Sequence, residues 1–488
     1  MQAQTMALQS IGVYIKRELV AGVPEESTPD EFIAGVTGVP VSGGGVGATF
    51  EPTDSALIYP DLMGSPSVVT KMSSNTTLET EYSGSPTILE LLGGFLYSYA
   101  SKAVHDVTPT DAINKYIGHR VNAKSTGITI TADVLAGVPV FKIVSANPIF
   151  GAIGDDMRVV KYQWLWMDGF ATAQTLRNNK AIQVYKYEDE DTIYVRQPLA
   201  LAAGVANITF TGSMFRNGVP HKSIAPVVDP ATGNVTGKSV PGDVHTTWTV
   251  IQDHPAADEP FVTRAAGATP ESFALTVNSN SIVTTSFTLL NRGYLPIHYG
   301  KGTVGTAPDG TKLPYITSYN PLGNYPSISS ATSRCAMYMN GIPKCVKDIA
   351  VNINGLSEAV YCVGDIGPTG ATYNDMRPEV KATLYFSENI EIMNAIYNFA
   401  TGTWSQINFT AQVGDTLGNV YCITVMNCAV TGDMPKVGKG VAEIQVSGKA
   451  GRFEDTDAIN AGLLGGSVEE EMLPWIIQVD VMPKYKAP

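Results

Sequence analysis

Few residue groups in this chain have the types and spacing that chemistry requires. The stretch "GNVTGKS" at 233–239 looks like the end of a phosphate-binding loop, in which backbone N–H groups and a Gly-Lys pair surround a phosphate. That loop needs glycine five positions before the Gly-Lys pair. Thr232 stands there, and no strand–loop–helix pattern surrounds it, so the stretch reads as a β-turn. The acidic run "YEDEDT" at 187–192 offers the oxygens that Ca²⁺ takes. It lacks the Asp-x-Asp-x-Asp-Gly order and the distant Glu, and between "IQVYK" and "IYVRQ" it reads as a hairpin tip. His105, His119, His221, His245, His254 and His298 form neither HxH nor HExxH. The neighbours Asp155 and Asp156, or Asp258 and Glu259, are the wrong shape for an acid–base pair, because adjacent residues on a strand point to opposite faces. No GxSxG elbow is present, and no cysteine sits in a nucleophile signature. No catalytic, cofactor-binding or metal site is expected, and the chain is not read as an enzyme.

What the sequence does repeat is an element. In "TTLETEY" (76–82), Leu78, Thr80 and Tyr82 share one face of a strand, and Glu79 and Glu81 the other. Ser85 and Pro86 then supply an N-cap and a first-turn proline. Ile88, Leu91, Leu92, Phe95 and Tyr99 follow at helical spacing. The same plan returns in "EVKATLYFSENIEIMNAIYNF" (379–399). Val380, Ala382, Leu384 and Phe386 form one strand face, and Lys381, Thr383 and Tyr385 the other. Ser387 caps a helix whose apolar stripe is Ile392, Ile396 and Phe399. A Gly-Asp turn and an apolar strand come after each unit, at 153–167 and at 413–426. The order strand, strand, helix, turn, strand thus occurs twice, at a spacing that suits two domains of common size.

Bulk properties bound the rest. A chain of 488 residues is too long for one ordinary core, and 44% hydrophobic with 16% charged residues is a globular balance. Its 47 glycines and 30 prolines sit at turn positions, which suits many short strands. A net charge of −13 leaves no basic surface for gripping phosphates, so a sequence-reading role on nucleic acid is not expected. No apolar run is long enough for a transmembrane helix, and the first residues lack the order of a secretory signal. The five cysteines have irregular spacing and no CxxC, so they read as reduced, buried thiols of a protein made in a cytoplasm.

The expected fold class is mainly β: sandwich or half-barrel domains, each with a flanking helix, in two tandem copies. The expected layout is an N-terminal arm at 1–55, a first domain at 56–218, an inserted loop or small outer β module at 219–270, and a second domain at 271–488. Within the last, 291–345 reads as a long arm or loop.

Together these residues resemble phage tail tube proteins, also called major tail proteins. The resemblance is carried by "IGDDMRVV…GFATAQTLRNNKAIQVYKY", "RNGVPHKS" (216–223), "SNSIVTTSFTLLNRG" (279–293) and "VKATLYFSEN" (380–389), and it spreads from about residue 65 to 455. Lys180 stands after Asn178 and Asn179 where the family pattern has glycine. The resemblance implies a structural virion protein of a long non-contractile tail, assembled in the host bacterial cytoplasm. Its domains would close into rings that stack into a hollow tube for DNA. With two fused tube domains, a homotrimer makes a pseudo-hexameric ring, and the double strand–helix unit is explained. Implied partners are further copies of the chain, a tape measure protein, a tail terminator and distal tail proteins, with transient passage of double-stranded DNA and no membrane segment. On this reading Glu79, Glu81, Lys381 and Thr383 face the lumen, and the two helices serve assembly. The competing readings are another tail or surface structural protein (terminator, baseplate piece, adhesin) and a β-rich carbohydrate-active enzyme.

Overall fold

A computed structural model describes residues 12–18, 36–53, 67–83, 85–96, 119–151, 159–171, 174–216, 227–228, 235–236, 247–254, 261–298, 319–320, 327–331, 335–363, 365–385, 393–394, 396–397, 406–432, 443–453 and 475–482. The fold is mainly β. The first strands are β1 (Gly12–Arg17), β2 (Val36–Val39), β3 (Gly43–Thr53) and β4 (Val68–Glu81), followed by helix α1 (Pro86–Phe95). Then come β5 (His119–Ser125), β6 (Ile128–Leu135), β7 (Val138–Ser145), β8 (Trp164–Asp168), helix α2 (Thr175–Asn178), β9 (Lys180–Asp189), β10 (Thr192–Val195), β11 (Ala202–Val205) and β12 (Ile208–Arg216). The next are β13 (Val227–Val228), β14 (Val235–Thr236), β15 (Trp248–His254), β16 (Phe261–Asn278), β17 (Thr284–Leu290), β18 (Gly293–His298), β19 (Tyr319–Asn320), β20 (Ala336–Met339) and β21 (Ile342–Lys344). Last are β22 (Val346–Ile353), β23 (Ser357–Val360), β24 (Gly370–Tyr373), β25 (Glu379–Tyr385), β26 (Gln406–Val413), β27 (Tyr421–Gly432), β28 (Glu443–Lys449) and β29 (Ile477–Val481).

Alternation decides which way each strand faces. On β4, Leu78 and Thr80 are fully buried, as is Tyr82 just beyond it, while Glu79 between them is exposed. Ser85 ends the strand segment and starts the helix: its hydroxyl accepts the Thr87 N–H at 3.3 Å, and Pro86 takes the first helical position, where no N–H is needed. The stripe of α1 then packs on β16 and β2. Phe95 lies 5.3 Å from the Phe287 ring and 6.4 Å from Phe273. Each such side chain contributes about 1.5–3 kcal/mol on burial, so packing rather than helix propensity holds this short helix in place.

Antiparallel pairings run in the order β3–β4–β17–β16–β22–β25–β28–β27–β26–β20–β21. The sheet encloses one large core that includes Leu78, Phe95, Phe287, Val380, Ile396 and Ile423. The first half of β16 pairs with β15 and β18, and β15 pairs with β1. Strands β5 to β12 surround a second core of their own, with Ile143, Leu165, Ile182 and Phe210. The C-terminal strand β29 joins the two, since it pairs with β27 on one side and β12 on the other.

Several boundaries differ from the sequence-based layout. The expected arm at 1–55 contains β1, whose Val13 and Ile15 are core residues, and the β3 edge of the main sheet. The expected insertion at 219–270 contains β15 and the start of β16, with Trp248, Val250 and Val262 fully buried, and among its described residues only the β13–β14 ladder stands apart. The boundary at 270 falls inside β16, which continues to Asn278. The long loop at 291–345 begins with β18 and ends with β20 and β21. Both strand–helix units contribute to one core and one sheet, whereas 119–216 packs around a separate one. Alternation reports which face of a strand is buried. It carries no label for the core that buries it.

Candidate functional site

The outer face of the main sheet is polar, and it brings together the residues singled out on the two distant strands. Registered partners in an antiparallel sheet point to the same side. One row across the sheet is therefore Glu79, Ser286, Ala274, Asn352, Glu379 and Lys449. The next is Glu81, Thr284, Thr276, Ala350, Lys381 and Ser447. Glu81 and Lys381, 300 positions apart in the chain, share a row at roughly 19 Å, taking about 4.8 Å per strand. Thr383 lies one row on, opposite Asp348 and Gln445. Glu79 and Lys381 are exposed and Glu81 is partly so, while Thr383 is 8% exposed and covered by its neighbours.

Charge on this face is mixed and partly paired. Lys381 Nζ lies 3.2 Å from Glu379, and Lys347 Nζ lies 3.1 Å from Glu443. Partial burial pushes the Glu379 carboxyl up, but the Ser447 hydroxyl and the Lys381 ammonium outweigh it and hold the group below its usual range. The hydrogen bond to Glu443 raises the Lys347 ammonium above its usual value. At the β4 edge Glu81 accepts a hydrogen bond from the Ser327 hydroxyl, and Glu79 has no lysine beside it in its row. Among the described residues named on this face, Glu79, Glu81, Asp348, Glu379 and Glu443 outnumber Lys347, Lys381 and Lys449.

The helical residues expected to serve assembly are placed differently. Ile88, Leu91, Leu92 and Phe95 are at most 3% exposed, and Ile396 is buried as well. All five belong to the chain's own core, which leaves little of their surface for a neighbour. The apolar stripe that marks an amphipathic helix marks burial, and the chain itself supplies the cover. Ile392 and Phe399 lie outside the described residues.

The asparagine pair also has a structural account. Asn178 accepts the Ala200 N–H at 2.8 Å and donates to the Ala200 carbonyl at 3.1 Å. Asn179 does the same with Phe170, at 2.9 and 3.0 Å. Each side chain imitates a strand partner and ties a loop to α2. Lys180 opens β9, and its ammonium reaches the Pro198 carbonyl at 2.6 Å.

Elsewhere the acidic run forms the β9–β10 turn, with Glu188, Asp189 and Glu190 exposed and Lys186 paired to Glu188 at 2.8 Å. No group of three or more potential metal ligands occurs among the described residues. No helix among them is long and apolar enough to cross a membrane. The five cysteines are free thiols. Cys422 and Cys428 are buried, and burial pushes the Cys428 thiol up to about 12. Cys345 and Cys362 are exposed, so the expectation of uniformly buried thiols holds for only part of the set.

A family model described as phage tail tube protein matches residues 9–450, nearly the whole chain and both strand–helix units. The chain belongs to the phage tail tube protein family. No curated protein matches it. As a tail tube protein it is a structural component of the virion tail. The polar sheet face is then the feature of this tail tube protein that most needs a function.

Proposed function

We propose that this tail tube protein assembles into stacked rings whose joined sheets form a hollow conduit, and that double-stranded DNA passes through it into the host. The polar face built on β4, β17, β16, β22, β25 and β28 carries this reading. It is broad, backed by a single core, and richer in carboxylates than in lysines, which suits a wall that must not hold phosphates. Glu79, Glu81, Lys381 and Thr383 belong to the lumen side on this reading. The strand β25 stands four places along the sheet from β4, and each precedes helical residues. That offset supports one chain supplying two ring positions, so that a homotrimer makes a pseudo-hexameric ring. Further partners are a tape measure protein, a tail terminator and distal tail proteins, and assembly takes place in the bacterial cytoplasm.

Electron microscopy of the purified protein, with averaging for ring symmetry and axial repeat, tests the proposal. Hollow tubes with three chains per ring are the expected result. Six chains per ring would retain the tube and reject the double unit. Discrete particles at every concentration and salt would overturn the proposal.

A further inference from the structure

The negative charge of this chain is unevenly spread. Residues 119–216 hold ten lysines and arginines against eight carboxylates, a net +2, so the rest of the chain carries −15. Four of those eight carboxylates are consecutive, at 188–191 in the β9–β10 turn. Beside that turn the module presents a cationic row. Tyr194 on β10 is registered with Lys142 on β7 and Lys186 on β9, and Lys142 with Thr131 on β6. Ile193 and Val195 point into the module's core, so the row points away from it. Both ammoniums lie against the same ring, 5.7 and 5.8 Å from the Tyr194 centre. Tyr194 is only 5% exposed, as expected of a ring flanked by two lysine stems. Lys186 pairs with Glu188 at 2.8 Å, whereas Lys142 makes no hydrogen bond or ion pair among the described residues.

The packing of the main body fixes which way this module looks. Along the pairing order β27 stands six strands from β4, about 29 Å away in a flat sheet. The Tyr82 and Tyr421 rings are nevertheless 4.8 Å apart, so the sheet folds back around its core and β4 faces β27 across it. The outer side of β4 is the polar face. The outer side of β27 is covered instead by the 119–216 module: Trp164 and Trp166 pack with Val420 and Cys422, and the Trp164 indole donates to the Thr424 hydroxyl at 3.3 Å. The module therefore lies across the core from the polar face. If that face lines the lumen, the module stands on the outer wall of the tube.

We infer that the Lys142–Tyr194–Lys186 row binds anionic glycans, polymers bearing phosphate or carboxylate groups, on the surface of the host cell; the inference rests on the tube reading. The two lysines spring from strands two spacings apart, roughly 10 Å, which suits successive charges along a polymer better than one small anion. The exposed Thr131 at the end of the row adds a hydroxyl for a sugar. The ion pair to Glu188 is solvent-exposed and contributes little, so a ligand anion replaces it at small cost. A lipid surface fits less well, because the row offers no large exposed apolar side chain to enter it. DNA is the other polyanion, and on the tube reading it travels on the far side of the core.

The test sediments the assembled protein at low salt with fluorescent phosphorylated dextran, polygalacturonate, neutral dextran or phosphatidylglycerol vesicles, with electron microscopy of the pellet and thermal melting alongside. Wild type is compared with a Lys142→Gln, Lys186→Gln double variant and a Lys71→Gln, Lys124→Gln control, which removes two cations outside the row. All three should melt alike and form tubes. Wild type and control should retain one or both anionic polymers, less as salt rises, and no neutral dextran. Which polymer is retained distinguishes phosphate from carboxylate. The double variant should bind about tenfold more weakly. Tubes that retain neither anionic polymer, that hold neutral dextran equally, or that are weakened as much by the control pair would overturn the site and leave the tube reading intact. Retention of vesicles without either polymer would overturn it as well. Failure of wild type to form tubes would overturn the tube reading and the outer-wall placement together.

Discussion

Asp480 is a fully buried carboxyl on β29, at the seam between the two cores. Its Oδ1 accepts the Trp164 N–H at 3.1 Å, and its Oδ2 accepts from the Gln478 amide at 2.8 Å. Burial raises the group well above the usual carboxylate range, and these two hydrogen bonds pull it only part of the way back. A group with a raised folded-state value favours the folded form fully below its unfolded value of about 3.9, and that contribution is lost as pH rises through the folded value. The wild type should therefore lose stability as pH rises from 5 towards 9 relative to Asp480→Asn, which cannot ionise. Thermal melting of both across that range is the measurement, and the slope rather than the height is the readout. Parallel slopes would show that Asp480 is ionised in the folded protein as in the unfolded chain over that range, so that burial does not raise it.

At the scale of the element, α1 shows how one short helix holds a broad sheet. Phe95 stands against Phe273 on β16 and Phe287 on β17, beneath the strands that carry the polar rows. Truncation to alanine leaves a cavity that a sheet held on both sides cannot close. Phe95→Ala is expected to cost about 3–5 kcal/mol, measured by denaturant unfolding. A loss below about 1 kcal/mol would mean that the site collapses easily or that the helix packs elsewhere. Asn178 and Asn179 act locally instead, each replacing a strand partner for one loop residue.

For the whole molecule, the proposed conduit depends on the polar face. Glu79 and Glu81 lie on its β4 side, facing away from the core. Glu79→Lys with Glu81→Lys should leave folding and tube formation unchanged, because neither carboxylate is buried in the core. A wall with those charges reversed attracts phosphates, so DNA should leave virions carrying the variant more slowly, and more so at low salt. Ejection measured from such virions checks this. Tubes that fail to form would place both residues in a contact between copies. Normal ejection would remove them from the DNA path.

Local pattern alone determined a good deal of this protein. Two-residue alternation placed Leu78, Thr80 and Tyr82 inwards and Glu79 outwards, and the Ser85-Pro86 pair located the start of α1. These are local consequences of strand pleat and helix capping, which short stretches of sequence control. The tertiary structure decided the pairings. That Glu81 shares a row with Lys381, that β1 belongs to the body, and that 119–216 has its own core all depend on contacts between distant residues. Alternation says that a strand has a buried face, but many partners can bury it equally well. Only the combined packing of all strands selects among them, and so the polar face exists in the folded sheet and nowhere in the linear chain.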